Sequence, residues 1–99
     1  MNALRIAVAG AGGRMGRMLI EATLRDAGAT LFAAIDCTDS PALGRNVGEM
    51  VGLPSSVVVG SDAEAAIAQA DCLIDFTRPE GTLQHLAFCR RHGVATVIG

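Results

Sequence analysis

The residues best suited to chemistry in this 99-residue chain form a glycine-rich turn, Gly10-Ala11-Gly12-Gly13-Arg14-Met15-Gly16. The turn follows a short apolar segment, Ile6–Ala9, and precedes a segment with helical periodicity. Glycines let the backbone turn sharply and approach a ligand closely, and the first N–H groups of a helix have no partner within it. This order of strand, glycine turn and helix is typical of a phosphate site, because a pyrophosphate satisfies both features.

The pattern of the turn departs from the common dinucleotide fingerprint. Gly10-x-Gly12-x-x-Met15 has a methionine where the usual form has its third small residue, and the glycine stands one place later, at Gly16. A glycine run alone is weak evidence, because apolar strands often end in glycine for turn reasons only. Other stretches of the chain must decide the interpretation.

An acidic residue stands at the distance from the turn that a dinucleotide site requires. The apolar segment Thr30–Ile35 is predicted to be the second strand, and it ends in Asp36. In dinucleotide-binding domains an acid about 20 residues beyond the glycine turn accepts hydrogen bonds from the adenosine ribose. An aspartate after a strand is also a common turn starter, so this assignment depends on the glycine turn.

The rest of the chain must supply the elements that position these residues. We predict a first helix from Gly13 to about Ala27, ended by Gly28. Its expected buried stripe consists of Met15, Met18, Leu19, Ala22 and Thr23. The segment 37–52 is polar and punctuated by Gly and Pro, so we expect mostly loop over the adenosine site, with one helical turn around Val47 to Met50. Further along, the pattern predicts strands at Val57–Val59, Cys72–Phe76 and Val94–Ile98, with helices from Ser61 to about Ala70 and from about Glu80 to His92.

This order of elements predicts an α/β fold, a doubly wound parallel sheet of the Rossmann type with five strands in the spatial order 3-2-1-4-5. Ligands of such sheets bind outside the carboxyl ends of the strands. The glycine turn follows the first strand, Asp36 the second, Thr77 and Arg78 the fourth, and Gly99 the fifth. All these residues share one edge, where the ends of the fourth and fifth strands would border a nicotinamide. NAD or NADP is therefore the expected ligand.

Composition limits the other function classes. The net charge is −2 and the basic residues are spread along the chain, which indicates neither nucleic acid nor an anionic membrane surface as a partner. No apolar run approaches the roughly 20 residues of a membrane span. The three cysteines lack metal-site spacing, so we expect no metal site and no disulfide framework, and a reducing cytoplasm as the location.

Three polar residues outside the turn receive structural interpretations. Asp75 lies inside an apolar strand and would need a hydrogen-bond partner if it is buried, so a structural role is favoured over a catalytic one. His85 and His92 have no metal-ligand partners at suitable spacing and are interpreted as surface or capping residues. Cys72 and Cys89 are interpreted as small core residues.

The glycine turn resembles a known family when it is taken together with three further segments: Asp75-Phe76-Thr77-Arg78-Pro79-Glu80-Gly81-Thr82, His85-Leu86-Ala87-Phe88-Cys89 and Val97-Ile98-Gly99. The combination closely resembles the amino-terminal domain of the 4-hydroxy-tetrahydrodipicolinate reductase (dihydrodipicolinate reductase) family of lysine and diaminopimelate biosynthesis. The resemblance covers the whole chain. It implies a cytoplasmic, homotetrameric, NAD(P)H-dependent reductase that acts on a cyclic imine dicarboxylate.

The resemblance also implies roles for particular residues. The pyrophosphate would be lined by Gly10, Ala11, Gly12, Gly13, Arg14 and Met15. Asp36 would hold the ribose, and Gly99 would open a turn beside the nicotinamide. Many family members carry arginine directly after the ribose acid, where it pairs with the 2′-phosphate of NADP. Cys37 stands there in this chain, so we expect NADH to be favoured over NADPH, with Arg14, Arg45 or Arg78 as alternative partners for the phosphate.

The family's substrate domain and catalytic residues lie beyond Gly99. The resemblance therefore implies that residues 1–99 are one NAD(P)-binding Rossmann domain, the amino-terminal portion of a longer reductase, with no catalytic residue and no activity alone. Two alternatives stay open. A non-catalytic nucleotide- or CoA-binding module would use the glycine turn without requiring Asp36. A methyltransferase also pairs a glycine turn with an acid, although Phe76-Thr77-Arg78-Pro79 argues against it.

Overall fold

The computed structural model of the chain describes residues 3–77 and 79–98. Within these residues the chain forms a parallel α/β domain. In chain order its elements are β1 (Leu4–Ala9), α1 (Arg14–Arg25), β2 (Ala29–Ile35), α2 (Val47–Val51), α3 (Ala63–Ala68), β3 (Cys72–Asp75), α4 (Pro79–His92) and β4 (Ala95–Ile98).

The four strands form one sheet in the order β2-β1-β3-β4, and all neighbouring pairs are parallel. β1 lies between β2 and β3, and Ala9 at its end pairs with Ile35 on one side and Asp75 on the other. Ala7, Val8 and Ala9 are fully buried, as expected for a parallel strand covered on both faces. The predicted parallel α/β fold is confirmed, and the segments that follow these three strands begin at one edge.

The predicted strand Val57–Val59 is wrong, so the described sheet has four strands instead of five. The segment makes one isolated antiparallel bridge, from Val58 to Asn46, and Gly60, directly after the segment, makes an isolated parallel bridge to Ile35. The reason lies in competing backbone hydrogen bonds: Val59 donates to the Arg45 carbonyl at 3.0 Å, and Val47 donates to the Val57 carbonyl at 2.9 Å. The segment is therefore paired with its own preceding loop, and only Gly60 reaches the edge of β2.

Helix α1 is shorter than predicted, and its buried face is rotated. It ends at Arg25, with Asp26 as the C-terminal cap. The buried residues are Gly16, Ile20 and Thr23. The predicted stripe is correct for Thr23 but wrong for Ala22, which is exposed, and for Met15 and Met18, which are 46% and 60% exposed. The close contact of this helix with the glycine turn, described below, sets the rotation.

Apolar side chains fill both faces of the sheet. On one face, Ile67 of α3 and Cys89 of α4 pack with Leu73 of β3. On the other, Ile20 of α1 and Val47 of α2 pack with strand residues that include Val8 and Leu31. Cys89 is buried as predicted, and Cys72 is half-buried. In the described part of the chain, no helix has the length and apolar character needed to cross a membrane.

Candidate functional site

A cleft of about 610 Å³ opens at the carboxyl edge of the sheet. This volume falls within the range of small-molecule sites, roughly 300–1,000 Å³. Its walls come from the ends of β1, β2 and β3 and the segments that follow them, from the region where α3 begins and from helix α4. The lining residues are Gly10, Gly13, Ile35, Asp36, Cys37, Thr38, Ser61, Ala63, Phe76, Thr77, Gly81, Gln84 and His85.

The glycine turn is fixed by contacts with both strands beside β1. The N–H groups of Gly10 and Ala11 both donate to the Ile35 carbonyl, at 2.9 and 3.1 Å, which ties the turn to the end of β2. Gly10 has φ +84°, a left-handed conformation that favours glycine. A Cβ atom at Gly10 would lie 3.4 Å from the Phe76 carbonyl oxygen, so the turn also sits closely against the segment after β3.

The packing of Gly16 explains why the third glycine of the fingerprint stands one place later in this chain. A Cβ atom at this position would overlap the carbonyl oxygen of Gly10, because α1 crosses the turn there. Only glycine allows that approach, which is the packing role of the third glycine in dinucleotide folds. Met15, one place earlier, is directed outward and therefore needs no small side chain.

The first turn of α1 contains N–H groups that have no backbone hydrogen-bond partner among the described residues. Gly13 is the N-terminal cap and offers no side-chain acceptor, and the first turn contains no acidic residue. The first backbone donation back to the turn comes from Arg17, to the Gly13 carbonyl at 3.0 Å. The N–H groups of Arg14, Met15 and Gly16 make no such bond to the turn, as is usual at a helix start, where the dipole favours an anion.

The amides within the turn, in contrast, already have partners. Gly13 donates to the Gly10 carbonyl at 3.0 Å, and Gly12 donates to the Asp36 carboxylate at 2.8 Å. Arg14 and Met15 are not among the described residues that line the cleft, so their contact with a phosphate stays a prediction. Ala11 is fully buried and can approach a ligand only through its backbone.

Asp36 lies on the same rim as the glycine turn, as the spacing predicts. Its Oδ2 accepts hydrogen bonds from Gly12 N at 2.8 Å and Ser40 Oγ at 3.2 Å, and its Oδ1 accepts from Cys37 N at 2.8 Å. A Cβ atom at Gly12 would lie 2.7 Å from Oδ2, so glycine is required for this contact. A carboxylate accepts about four hydrogen bonds. Asp36 therefore keeps capacity for a ligand hydroxyl.

The position after Asp36 is electrostatically negative. Cys37 is exposed, and its thiol has a raised pKa, first because Asp39 accepts its hydrogen bond and also because the charges of Asp39 and Asp36 disfavour a thiolate. The same two carboxylates would repel an anionic group placed beside Cys37.

A second carboxylate, Asp75, is buried at the end of β3, on the side of the cleft opposite Asp36. It is fully buried. Its Oδ1 accepts hydrogen bonds from the backbone N–H of Thr77, at 2.8 Å, and from the Thr77 hydroxyl, and its Oδ2 lies 2.8 Å from His85 Nδ1. Burial alone would raise the pKa of Asp75, but the hydrogen bonds from Thr77 and His85 outweigh it and lower that pKa. The expectation that a buried Asp75 needs partners is confirmed.

The interpretation of His85 as a surface or capping residue is wrong. His85 is 8% exposed, bonds to Asp75 and lines the cleft. The sequence did contain an indication of this role. A buried Asp75 requires a hydrogen-bond partner, and His85 is a polar residue on the helix that follows β3. His92 does lie near the surface, where its Nε2 is 3.2 Å from Glu64 Oε2.

The cleft brings together five of the predicted site residues: Gly10, Gly13, Asp36, Cys37 and Thr77. Two others, Arg78 and Gly99, lie outside the described residues. Sequence reasoning missed several lining residues, which are Thr38, Ser61, Phe76, Gly81, Gln84 and His85. No group of three or more His, Cys, Asp or Glu residues that could hold a metal ion occurs in ranges 3–77 and 79–98.

Known proteins similar to this chain point to one family. The family model described as dihydrodipicolinate reductase, N-terminus, matches residues 4–99. A 4-hydroxy-tetrahydrodipicolinate reductase from Dechloromonas aromatica is 63% identical over 99 residues, which are the whole of this chain and 37% of that protein. The protein of the same name from Herminiimonas arsenicoxydans is 56% identical over the same share of each chain. This chain thus spans little more than a third of their length.

A solved structure supports the same relationship. A dipicolinate-bound dihydrodipicolinate reductase from Paenisporosarcina sp. TG-14 superposes with a TM-score of 0.76 and 27% sequence identity. The superposition covers 99% of this chain and 37% of the other. The described fold therefore corresponds to one part of that longer protein.

Proposed function

This chain belongs to the dihydrodipicolinate reductase family, through the family's N-terminal region, and on that premise we propose that it is the cofactor domain of a nicotinamide-dependent reductase. The observation that carries the proposal is the contact between Asp36 and the amide of Gly12. It brings the acid proposed to bind the ribose and the turn proposed to bind the phosphates together on one rim, which is the arrangement that a dinucleotide needs.

The strand order supports a proposed position for each part of the cofactor in the cleft. Asp36 follows β2 and would bind the adenosine ribose hydroxyls. The pyrophosphate would lie against the amides of Arg14 and Met15, at the start of the helix that follows β1. The segment after β3, with Thr77 and His85, would then border the nicotinamide half. Arg78 and Gly99 are proposed for the same half from the family resemblance.

NADH is the favoured form of the cofactor. Cys37 offers no positive charge to a 2′-phosphate, and the carboxylates of Asp36 and Asp39 would repel one. NADPH binding would need an arginine from elsewhere, for which Arg14, Arg45 and Arg78 are the candidates.

The reaction we propose for the complete protein is reduction of a cyclic imine dicarboxylate. When bound, the cofactor supplies the hydride, and this chain's residues bind and orient it. The relative from Paenisporosarcina was solved with dipicolinate, a ring dicarboxylate, which supports the substrate class. We propose no catalytic residue within 1–99 and expect no reductase activity from it alone. A homotetramer in the cytoplasm is proposed from the same resemblance.

The test is the NADH affinity of Asp36→Ala, measured by titration calorimetry. The protein should be of family length, meaning residues 1–99 continued to the length of the curated relatives. Hydrogen bonds to a charged group contribute about 1.5–3 kcal/mol, so affinity should fall roughly 10- to 100-fold. Glu49→Ala is the matched control, because it removes an exposed carboxylate that does not line the cleft among the described residues.

Two results would contradict the proposal. NADH affinity that is unchanged by Asp36→Ala would show that the ribose lies elsewhere. Tighter binding of CoA than of NADH by the unaltered protein would favour the non-catalytic CoA-binding module instead.

A further inference from the structure

The Asp75–His85 pair fixes which nitrogen of the imidazole is available. Asp75 is ionised above its lowered pKa, and an ionised carboxylate only accepts hydrogen bonds. His85 Nδ1 must therefore carry the proton of the 2.8 Å bond to Asp75 Oδ2. The remaining ring nitrogen, Nε2, is then a lone-pair acceptor whenever the imidazole is neutral.

The structure also indicates where Nε2 is directed. Nε2 has no hydrogen-bond partner among the described residues. In the same residues, every buried side-chain N or O atom does have a hydrogen-bond partner, so Nε2 is not buried. Nε2 must therefore reach an accessible surface, and the cleft is the surface that His85 lines. The His85 side chain is 11% exposed, is held by a buried carboxylate and has one ring nitrogen without a partner among the described residues, so it is preorganised for a contact.

The position of Nε2 along the sheet edge indicates which part of a dinucleotide it would contact. Asp36 follows β2, the proposed phosphate donors follow β1, and His85 is bonded to Asp75 at the end of β3, on the far side of β1 from Asp36. A dinucleotide with its first ribose at Asp36 and its phosphates at α1 places its second ribose next along this edge. A ribose hydroxyl can donate to Nε2, whereas an ionised phosphate only accepts.

We propose that His85 Nε2 accepts a hydrogen bond from a hydroxyl of the nicotinamide-side ribose, and that Asp75 is a positioning residue that holds the imidazole for this contact. This inference rests on the proposed function. It adds a second ribose contact, on the opposite side of the pyrophosphate from Asp36.

Three ligands of increasing length separate the possible contacts: ADP, which lacks the second ribose, ADP-ribose, which has it, and NADH, which adds the nicotinamide. Their affinities should be measured by calorimetry for the unaltered family-length protein and for His85→Asn and His85→Gln. The asparagine amide can replace Nδ1 and keep the bond to Asp75, but it places nothing at Nε2. The glutamine amide reaches the Nε2 position.

We expect His85→Asn to weaken NADH and ADP-ribose binding by roughly five- to tenfold, the value of one hydrogen bond, and to leave ADP binding unchanged. Retained ADP binding also shows that the variant is folded. His85→Gln should recover part of the loss. In the unaltered protein, the 15N resonance of His85 Nε2 should shift on addition of ADP-ribose and stay in place with ADP, a readout that requires no variant.

The other outcomes overturn the inference in different ways. Loss of ADP affinity would indicate a phosphate contact or a general structural role. Loss confined to NADH would place the contact on the nicotinamide ring. No loss with any ligand would remove His85 from the site. If the unaltered protein binds none of the three ligands, the proposed function itself fails. The first three outcomes contradict only the role of His85 and leave the proposed function standing.

Discussion

Asp36 and Asp75 stand at the ends of the two strands that flank β1, at almost the same level of the sheet. Asp75 pairs with Ala9 from one side, and Ile35, the residue before Asp36, pairs with Ala9 from the other. Each carboxylate accepts a nearby backbone N–H at 2.8 Å, from Gly12 and Thr77 respectively. Their surroundings differ: Asp36 lies on the rim among neutral donors, whereas Asp75 is fully buried and paired with His85.

The two carboxylates share residue type and strand position, so their different burial determines whether each one can contact a ligand in the cleft. The carboxylate of Asp36 can accept a further hydrogen bond from the cleft. Asp75 is closed to solvent, so it can influence the cleft only through the two residues that it holds, Thr77 and His85. We therefore interpret Asp36 as a ligand contact and Asp75 as a support for ligand contacts.

The largest expected effect is on stability. Asp75→Ala should lower the free energy of unfolding by about 3–5 kcal/mol, because it leaves buried donors of Thr77 and His85 without their acceptor. Asp36→Ala should cost only about 1 kcal/mol, because water can replace the carboxylate on the rim. Urea denaturation of the two variants measures the difference. An equal loss of unfolding free energy in the two variants would contradict the distinction between the buried carboxylate of Asp75 and the accessible carboxylate of Asp36.

The pH dependence of the same denaturation is a control for the Asp75 assignment. A carboxylate whose pKa is lower in the folded state contributes stability that is complete above its unfolded value, about 3.9, and is lost as pH falls toward the folded pKa. The unaltered chain should thus lose stability below about pH 4, and Asp75→Asn should lose less. Glu64 and Asp71, which also have lowered pKa values, should maintain a residual slope in the variant.

A smaller effect is expected on cofactor choice at the Asp36 rim. Cys37→Arg should raise the affinity for NADPH relative to NADH by about tenfold, because a guanidinium can pair with the 2′-phosphate. Competition titrations of the family-length protein measure this ratio. Gln69→Arg adds the same charge at an exposed site that does not line the cleft among the described residues, and should leave the ratio unchanged. An equal ratio before and after Cys37→Arg would show that the ribose does not lie beside position 37.

The rim of the cleft could be predicted from sequence because it depends on local rules. A strand, a glycine turn and a helix leave amides exposed whatever the rest of the fold does, and parallel strands bring their carboxyl ends to one edge. The spacing between Gly16 and Asp36 was therefore sufficient to place the acid near the turn. The displaced glycine was visible too, but its reason, the overlap with the Gly10 carbonyl, needed the structure.

The features that were predicted wrongly from the sequence depend on tertiary packing. The rotation of α1 is set by its contact with the turn, so the outward Met15 and Met18 could not be predicted from periodicity alone. Val57–Val59 has strand composition, but its backbone bonds to the loop before it. The partnership of Asp75 with His85 depends on how α4 packs against β3, which residue spacing does not specify.

The central claim is that one dinucleotide spans the cleft, with its adenosine ribose at Asp36 and its pyrophosphate at the start of α1. A crystal structure of the family-length protein with NADH tests this most directly. In that structure, ribose oxygens should lie within about 2.6–3.2 Å of the Asp36 carboxylate, and phosphate oxygens should lie at the same distance from the backbone N–H groups of Arg14 and Met15. NADH bound with its adenosine ribose away from Asp36, or with no phosphate at these amides, would contradict it.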